Sequence, residues 1–277
     1  MFSRLLTTTI GTPLVIGAIW YGVPWLSLLV SGFAVLGTLE FYRLARHREI
    51  YPATFPGLIL VLALLVSGHS GGELTTLVLV VGLLGTLLWH RVVSLSFVNH
   101  LFKTNLRGRG YQGMFLDWVY TIGGAVYLGW TLSLSLSLRQ QVYGLEWVMI
   151  AILAVFGTDI ASFVVGKAIG KRQMFKDVSP RKTWEGALGG FAIGAAIVIV
   201  LVYILGLPMG LWQTGILGVM VPLSAQIGDL VESMFKRASG VKDSGDLIPG
   251  HGGMLDRLDS VVFVIVVVNF FVLWGTF

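Results

Sequence analysis

The sequence predicts an all-α polytopic membrane protein of about nine transmembrane helices, with its N-terminus in the cytoplasm and its C-terminus outside. Three observations predict it. Only 12% of the 277 residues are charged and 55% are hydrophobic, where a soluble globular chain carries about 25% charged residues. The apolar residues fall into windows near the length of roughly 20 residues that an α-helix needs to cross a bilayer. The basic residues then collect on one side of the chain that those windows define.

The first window runs from Leu5 to Tyr21 and the second from Trp25 to Phe41. Arg4 ahead of an apolar stretch resembles a secretory leader, but Ile16 to Tyr21 offers no small-residue cleavage site, so the segment is read as a retained span. The third window, Gly57 to Gly68, is short unless it borrows from Tyr51 onward. Leu74 to Trp89 and Phe115 to Leu132 supply the fourth and fifth. Leu132 to Leu138 alternates Leu with Ser and reads locally as a strand. A lone strand cannot satisfy its backbone in lipid, so this stretch is expected to be the frayed end of span five or an outside loop. Trp147 to Gly166, Gly186 to Leu207, Ile216 to Phe235 and Leu258 to Trp274 complete the set. The 36 glycines suit close helix packing in lipid. The chain divides into a membrane-spanning scaffold, residues 1–140, and a second membrane-spanning region, residues 141–277, that holds most of the charged residues, within one integrated membrane domain. With no cysteine present, disulfide and thiolate chemistry are excluded.

Basic residues precede span one and follow spans two, four, six and eight. Of the 19 Lys and Arg residues only Arg139 falls on the other side. The positive-inside rule places the crowded side in the cytoplasm. The net charge of +5 is then a topology signal with an attraction for anionic lipid and phosphates, and it does not argue for nucleic acid.

Polar residues inside such a chain mark function, because an acid at hydrocarbon depth costs about 2.5–3.5 kcal/mol on insertion scales. Asp229, Glu232, Ser233 and Lys236 lie at i, i+3, i+4 and i+7, on one face of span eight. Asp256 and Asp259 are i and i+3 at the start of span nine, with Arg257 between them. Acids there are favoured by the helix dipole alone, but a Pro-Gly-His-Gly-Gly turn, Pro249 to Gly253, comes immediately before. Glycine-rich backbone can cradle phosphate oxygens, and Lys236, Arg237, Lys242 and His251 can add charge-assisted bonds. Carboxylates beside such a cradle are hard ligands suited to Mg2+, which takes one or two carboxylates plus substrate phosphates. A second patch, Ser179 to Gly186, places Pro180, Arg181, Lys182 and Thr183 before a helix whose N-terminus suits an anion. Asp159 and Ser162, at i and i+3, interrupt the apolar run of span six. Glu40, at the cytoplasmic end of span two, either supports the site or caps a packing contact. Asp117 reads as interfacial, and His47, His69, His90 and His100 form no ligand spacing.

These residues resemble one family, the CDP-diacylglycerol synthases (phosphatidate cytidylyltransferases). Its signature is matched by Ser233, Phe235, Lys236, Arg237, Lys242, Asp243, Gly245, Ile248, Pro249, His251, Gly252, Gly253, Met254, Asp256, Arg257, Leu258 and Asp259. The Ser179-Pro-Arg-Lys-Thr segment and the Asp159 upstream of it fit the same family. The close likeness covers Asp159 to Asp259, and the N-terminal half matches as a multispan scaffold.

The resemblance implies Mg2+-dependent transfer of CMP from CTP to phosphatidate, giving CDP-diacylglycerol and pyrophosphate in phospholipid biosynthesis. It implies a multi-pass protein of the cell membrane, a site facing the cytoplasm, phosphatidate drawn from the bilayer, and a homodimer. A second metal or a monovalent cation is left open. Under this reading Asp229 and Asp256 hold the metal, with Asp259 and Glu232 as further ligands or support. Lys236, Arg237, Lys242, His251 and Arg257 hold the triphosphate and the leaving pyrophosphate, with Asp243, Gly252 and Gly253 in the same turn. Ser179, Arg181, Lys182, Thr183 and Asp159 engage either the lipid phosphate or the nucleotide. The alternatives are the same chemistry on another lipid phosphate, such as an archaeal ether lipid, or a polyprenol kinase. A secondary transporter fits poorly, because its site lies near the midplane between repeats, whereas these polar residues gather at one membrane face.

Overall fold

A computed structural model describes residues 2–93, 110–245 and 252–275. Among the described residues there are nine helices and one small hairpin. The helices are α1 (Phe2–Tyr21), α2 (Trp25–Arg46), α3 (Thr54–His69) and α4 (Thr75–Val93), followed by α5 (Tyr111–Gln140). After these come α6 (Gly144–Ile169), α7 (Trp184–Ile204), α8 (Leu211–Ala238) and α9 (Leu255–Trp274). Strands β1 (Gln173–Phe175) and β2 (Ser179–Thr183) pair antiparallel between α6 and α7. Seven helices, α2 and α4 to α9, are long and apolar enough to cross a membrane, while α3, with 16 residues, is a shorter apolar helix.

Side-chain bonds between helix ends fix how the helices run. At one end, Arg139 at the close of α5 donates to Ile19 O of α1 at 3.2 Å, and Gln140 donates to His69 O of α3 at 2.6 Å. Ser27, at the start of α2, lies 3.1 Å from His69 Nδ1. At the other end, Tyr51 N, between α2 and α3, donates to Asp117 of α5 at 2.7 Å, and Arg237 of α8 reaches Val178 O in the hairpin at 3.0 Å. Successive helices therefore alternate in direction. Trp20, Tyr21, Trp25, Trp212 and Trp274 are exposed at the Arg139 end, as membrane-interface aromatics are.

The core is apolar, built around Leu44, Leu64, Leu128, Trp147, Leu217 and Val264, and much of the outer surface is apolar too. Leu77, Val80, Val81, Leu84 and Leu88 of α4 and Phe156, Ile160, Phe163 and Val164 of α6 face outward. Glu40, Asp117, Thr121, Thr158 and Glu232 are buried. Such a surface is stable only against lipid. Helix α9 is central and packs against α2, α5, α6 and α8.

The alternating Leu-Ser stretch is neither a frayed end nor a loop. It continues α5 as regular helix from Thr131 to Gln140. Ser133 and Ser135 return their hydroxyls to Trp130 O and Leu132 O at 2.7 and 2.6 Å, so the polar groups are satisfied within the helix. Leu132, Leu136 and Leu138 are buried because α5 is surrounded by α3, α6 and α9. Burial on every side removes the helical period from the sequence. Immediately before it, Ala125–Trp130 forms a π-helical turn, a feature common near functional sites.

Helices α6 and α7 meet through glycine. A Cβ on Gly186 would stand 2.7 Å from Ser162 O and 2.9 Å from Gly166 Cα, both backbone atoms. Gly186→Val should therefore force the helices apart and destabilise the protein by about 1–3 kcal/mol, the usual cost of overpacking. A fall in melting temperature of the detergent-solubilised protein checks this, and an unchanged value would contradict the packing.

Candidate active site

The α8–α9 pair brings together the residues separated in sequence by the polar turn. Lys236 Nζ lies 2.5 Å from Glu232 Oε2, one helical turn below it, and 2.6 Å from Asp256 Oδ1 across on α9. Glu232 is buried, so Lys236 is the cation that makes its burial tolerable. Asp256 Oδ2 also accepts Gly253 N at 2.8 Å and Ser244 N at 3.1 Å. The carboxylate thus closes the turn onto the first turn of α9.

The second group lies alongside. Lys182 Nζ, on β2, bridges to Asp229 Oδ2 at 2.8 Å, which docks the hairpin against α8. Ser233 donates to Asp229 Oδ1 at 3.4 Å. Asp159 of α6 and Asp259 of α9 are in Coulombic range of Asp229, of each other and of Lys182. Ser260 N donates to Asp259 Oδ1 at 2.6 Å. Three helices therefore face one another with carboxylates, and the acids outnumber the lysines that touch them.

The expected residues divide by what they touch. Arg237 is committed to backbone, with Nε on Val178 O and Nη1 on Val241 O, both at 3.0 Å, tying the hairpin to the chain after α8. Thr183 caps α7, its Oγ1 accepting Gly186 N at 3.1 Å. Glu185 Oε2 accepts the amides of Lys171 and Arg172 at 3.1 and 3.2 Å, which closes the loop before β1. Gly252 adopts φ +82°, and a Cβ there would lie 2.7 Å from Asp256 Oδ2. Lys242, Asp243, Arg181 and Arg257 are exposed at this end, and Ser179 is half-buried on β2. His251 lies outside the described residues.

Sequence reasoning left Glu40 between supporting the site and capping a packing contact, and did not single out Ser244 or Tyr127. Glu40 is completely buried and bonds to the turn. An acid within an apolar span was the available signal. Tyr127, on the π-helical turn, is in Coulombic range of Glu232 and Asp259. Nothing in the sequence distinguishes it from the other aromatics.

The donor set suits Mg2+. It consists of hard carboxylate oxygens, and of Asp159, Asp229 and Asp259 only Asp229 makes a salt bridge to a lysine among the described residues. Among the described residues no three such groups converge into an all-protein metal cage.

Fold and site together define a polytopic membrane protein with a charged centre built between helix ends. A sequence model described as the cytidylyltransferase family matches residues 2–274, so the likeness extends through the N-terminal half as well. A phosphatidate cytidylyltransferase of Staphylococcus epidermidis is 31% identical over 246 residues, covering 88% of this chain and 89% of that protein. Those of Staphylococcus haemolyticus and Staphylococcus aureus are 36% identical over 155 residues and 39% over 157, in each case 56% of this chain and 59% of the relative. The chain belongs to the phosphatidate cytidylyltransferase (CDP-diacylglycerol synthase) family and is a nucleotidyltransferase.

Proposed function

We propose that the protein transfers CMP from CTP to phosphatidate, releasing pyrophosphate and forming CDP-diacylglycerol for phospholipid synthesis, with Mg2+ as cofactor. The observation that carries this reading is the convergence of the α8 and α9 signature residues with Lys182 of the hairpin at one end of the bundle. A phosphate oxygen of phosphatidate forms the new bond to the α-phosphorus of CTP. The bond from that phosphorus to the bridging oxygen of the β-phosphate breaks, and pyrophosphate leaves. The lipid phosphate is already anionic, so no general base is required. The barrier is the approach of two polyanions, and Mg2+, when bound, supplies charge neutralisation and in-line alignment. Asp229 and Asp259, with Asp159 beside them, would hold it; Asp256 and Glu232, also expected as ligands, are here paired with Lys236.

The chain's own contribution is positional. Asp256 and Glu232 hold Lys236 at a fixed point, so its ammonium is preorganised and needs no rearrangement during reaction. Lys182 can exchange Asp229 for a phosphate. Arg181, Lys242 and Arg257 offer further cations to the triphosphate and the lipid headgroup. His251, which precedes Gly252 and Gly253 in the sequence, keeps the phosphate-binding role that the resemblance implies. In this reading the protein resides in the cell membrane as a homodimer with its site toward the cytoplasm, where CTP is made.

Purified protein should convert labelled CTP and phosphatidate to a CDP-lipid, stop on chelation and resume with added Mg2+. Product only with another lipid phosphate would reassign the substrate, and no CDP-lipid with any would end the proposal. The cysteine-free chain allows a direct test of orientation. A cysteine replacing Asp177 in the hairpin turn should react only with reagents entering from the cytoplasm. One replacing Val142, at the Arg139 end, should react only from outside, and the reverse pattern would overturn the orientation.

A further inference from the structure

Glu40 lies on α2, in the half of the chain that carries none of the signature. A buried carboxylate costs several kcal/mol unless its oxygens are satisfied. Its partners all come from the signature turn. Oε1 accepts Met254 N at 3.0 Å, and Oε2 accepts Leu255 N at 2.9 Å and the Ser244 hydroxyl at 2.9 Å. Met254 and Leu255 begin α9, where a helix leaves its first amides without intrahelical partners. Glu40 is thus a cap supplied by a different helix, and its charge complements the α9 dipole.

The turn is shaped around this carboxylate. A Cβ on Gly253 would stand 2.3 Å from Glu40 Oε2 and 2.0 Å from Ser244 Oγ, and one on Gly245 would stand 2.7 Å from Glu40 Oε1. Close approach to Glu40 therefore accounts for both glycines. Asp256 grips the same turn from its other side. Ser244 gives its hydroxyl to Glu40 and its amide to Asp256, while Gly253 gives its amide to Asp256 and lies against Glu40. One residue along α2, Phe41 stacks on Phe235 of α8, with ring centroids 4.6 Å apart and planes 5° from parallel. Helix α2 is thereby held against both α8 and α9.

We infer that Glu40 is a positioning residue for cytidylyl transfer: it holds Ser244 and the start of α9 together and so aims Asp256 at Lys236. It acts through the turn and touches no substrate. The inference rests on the proposed reaction, but its structural half is measurable without it.

The test compares wild type with Glu40→Gln, Glu40→Asp and Ser244→Ala in lipid nanodiscs. Three quantities are read: amide exchange over residues 252–258, melting temperature, and kcat with the KM for CTP. Glutamine keeps the shape but turns an N–H2 group toward backbone donors. Exchange at Gly253 to Leu255 should accelerate about tenfold or more. Turnover should fall roughly 10- to 100-fold, with the CTP KM within about threefold of wild type, as expected when a reacting constellation is misaimed. Glu40→Asp should recover part of the loss. Ser244→Ala, which removes one bond and keeps the carboxylate, should lose about three- to tenfold in kcat and serves if Glu40→Gln does not assemble.

Unchanged exchange with unchanged kcat would overturn the inference. So would a lower melting temperature with normal kcat per folded molecule, which would make Glu40 a bulk stability contact. A raised CTP KM with normal exchange would make it a direct ligand and overturn it equally. If wild type forms no CDP-lipid from any lipid phosphate, the proposed reaction falls, and amide exchange still decides whether Glu40 holds the turn.

Discussion

Replacing Lys236 with methionine should cost the protein about 3–5 kcal/mol, the penalty for breaking a buried ion pair from one side. The ammonium lies 2.5 Å from Glu232 and 2.6 Å from Asp256, and Glu232 is only 2% exposed. Removal leaves Glu232 without its counter-charge in an apolar surrounding, whereas Asp256 keeps its two backbone amides. The variant should accumulate poorly and melt well below wild type. The double variant Lys236→Met with Glu232→Gln removes the stranded charge and should regain most of that stability while remaining inactive. Melting curves and CDP-lipid formation measured side by side check both halves. Full activity in the double variant would show that Lys236 serves only to neutralise Glu232.

The second large effect is on turnover. Asp256→Asn should reduce CDP-lipid formation by about 100-fold or more while leaving the protein folded, since misplacement by about an ångström can cost that much. The physical reason lies in its three partners. Asp256 accepts Lys236 on one oxygen and the amides of Ser244 and Gly253 on the other. Asparagine can satisfy the amides only by presenting its own N–H2 to the ammonium, so the clasp opens and Lys236 turns wholly to Glu232. Near-normal turnover would remove Asp256 from the working part of the site. A collapse in melting temperature matching that of Lys236→Met would instead assign it a structural role.

Much of the fold was legible because the bilayer imposes its own arithmetic. Windows near 20 apolar residues and basic residues confined to alternate connections leave few arrangements. The exceptions have physical causes. The Leu-Ser stretch misled because a helix enclosed by neighbours shows no apolar face, and serine hydroxyls can bond to their own helix. Arg237 was expected to hold triphosphate, as a basic residue beside a glycine turn suggests. Its Nε and Nη1 also join Val178 O and Val241 O, partners visible only when the hairpin is folded against α8. Gly253, expected in the phosphate-holding turn, also lies against Ser244 and Glu40, a contact the sequence does not announce.

By itself, then, the sequence determined the membrane class, the helices and their directions, the end of the bundle that is charged, and the residues of the α8–α9 signature. Those properties follow from local rules: hydropathy against helix length, charge against the membrane faces, and spacing on a single helix face. Tertiary structure alone decided which acid meets which base. It gave Lys236 to Asp256, Lys182 to Asp229, and Glu40 to the start of α9. Glu40 and Leu255 are 215 residues apart, and no periodicity or spacing connects positions so distant. Their pairing depends on α2 packing against α9, where a buried carboxylate must find donors and the helix start has amides to give.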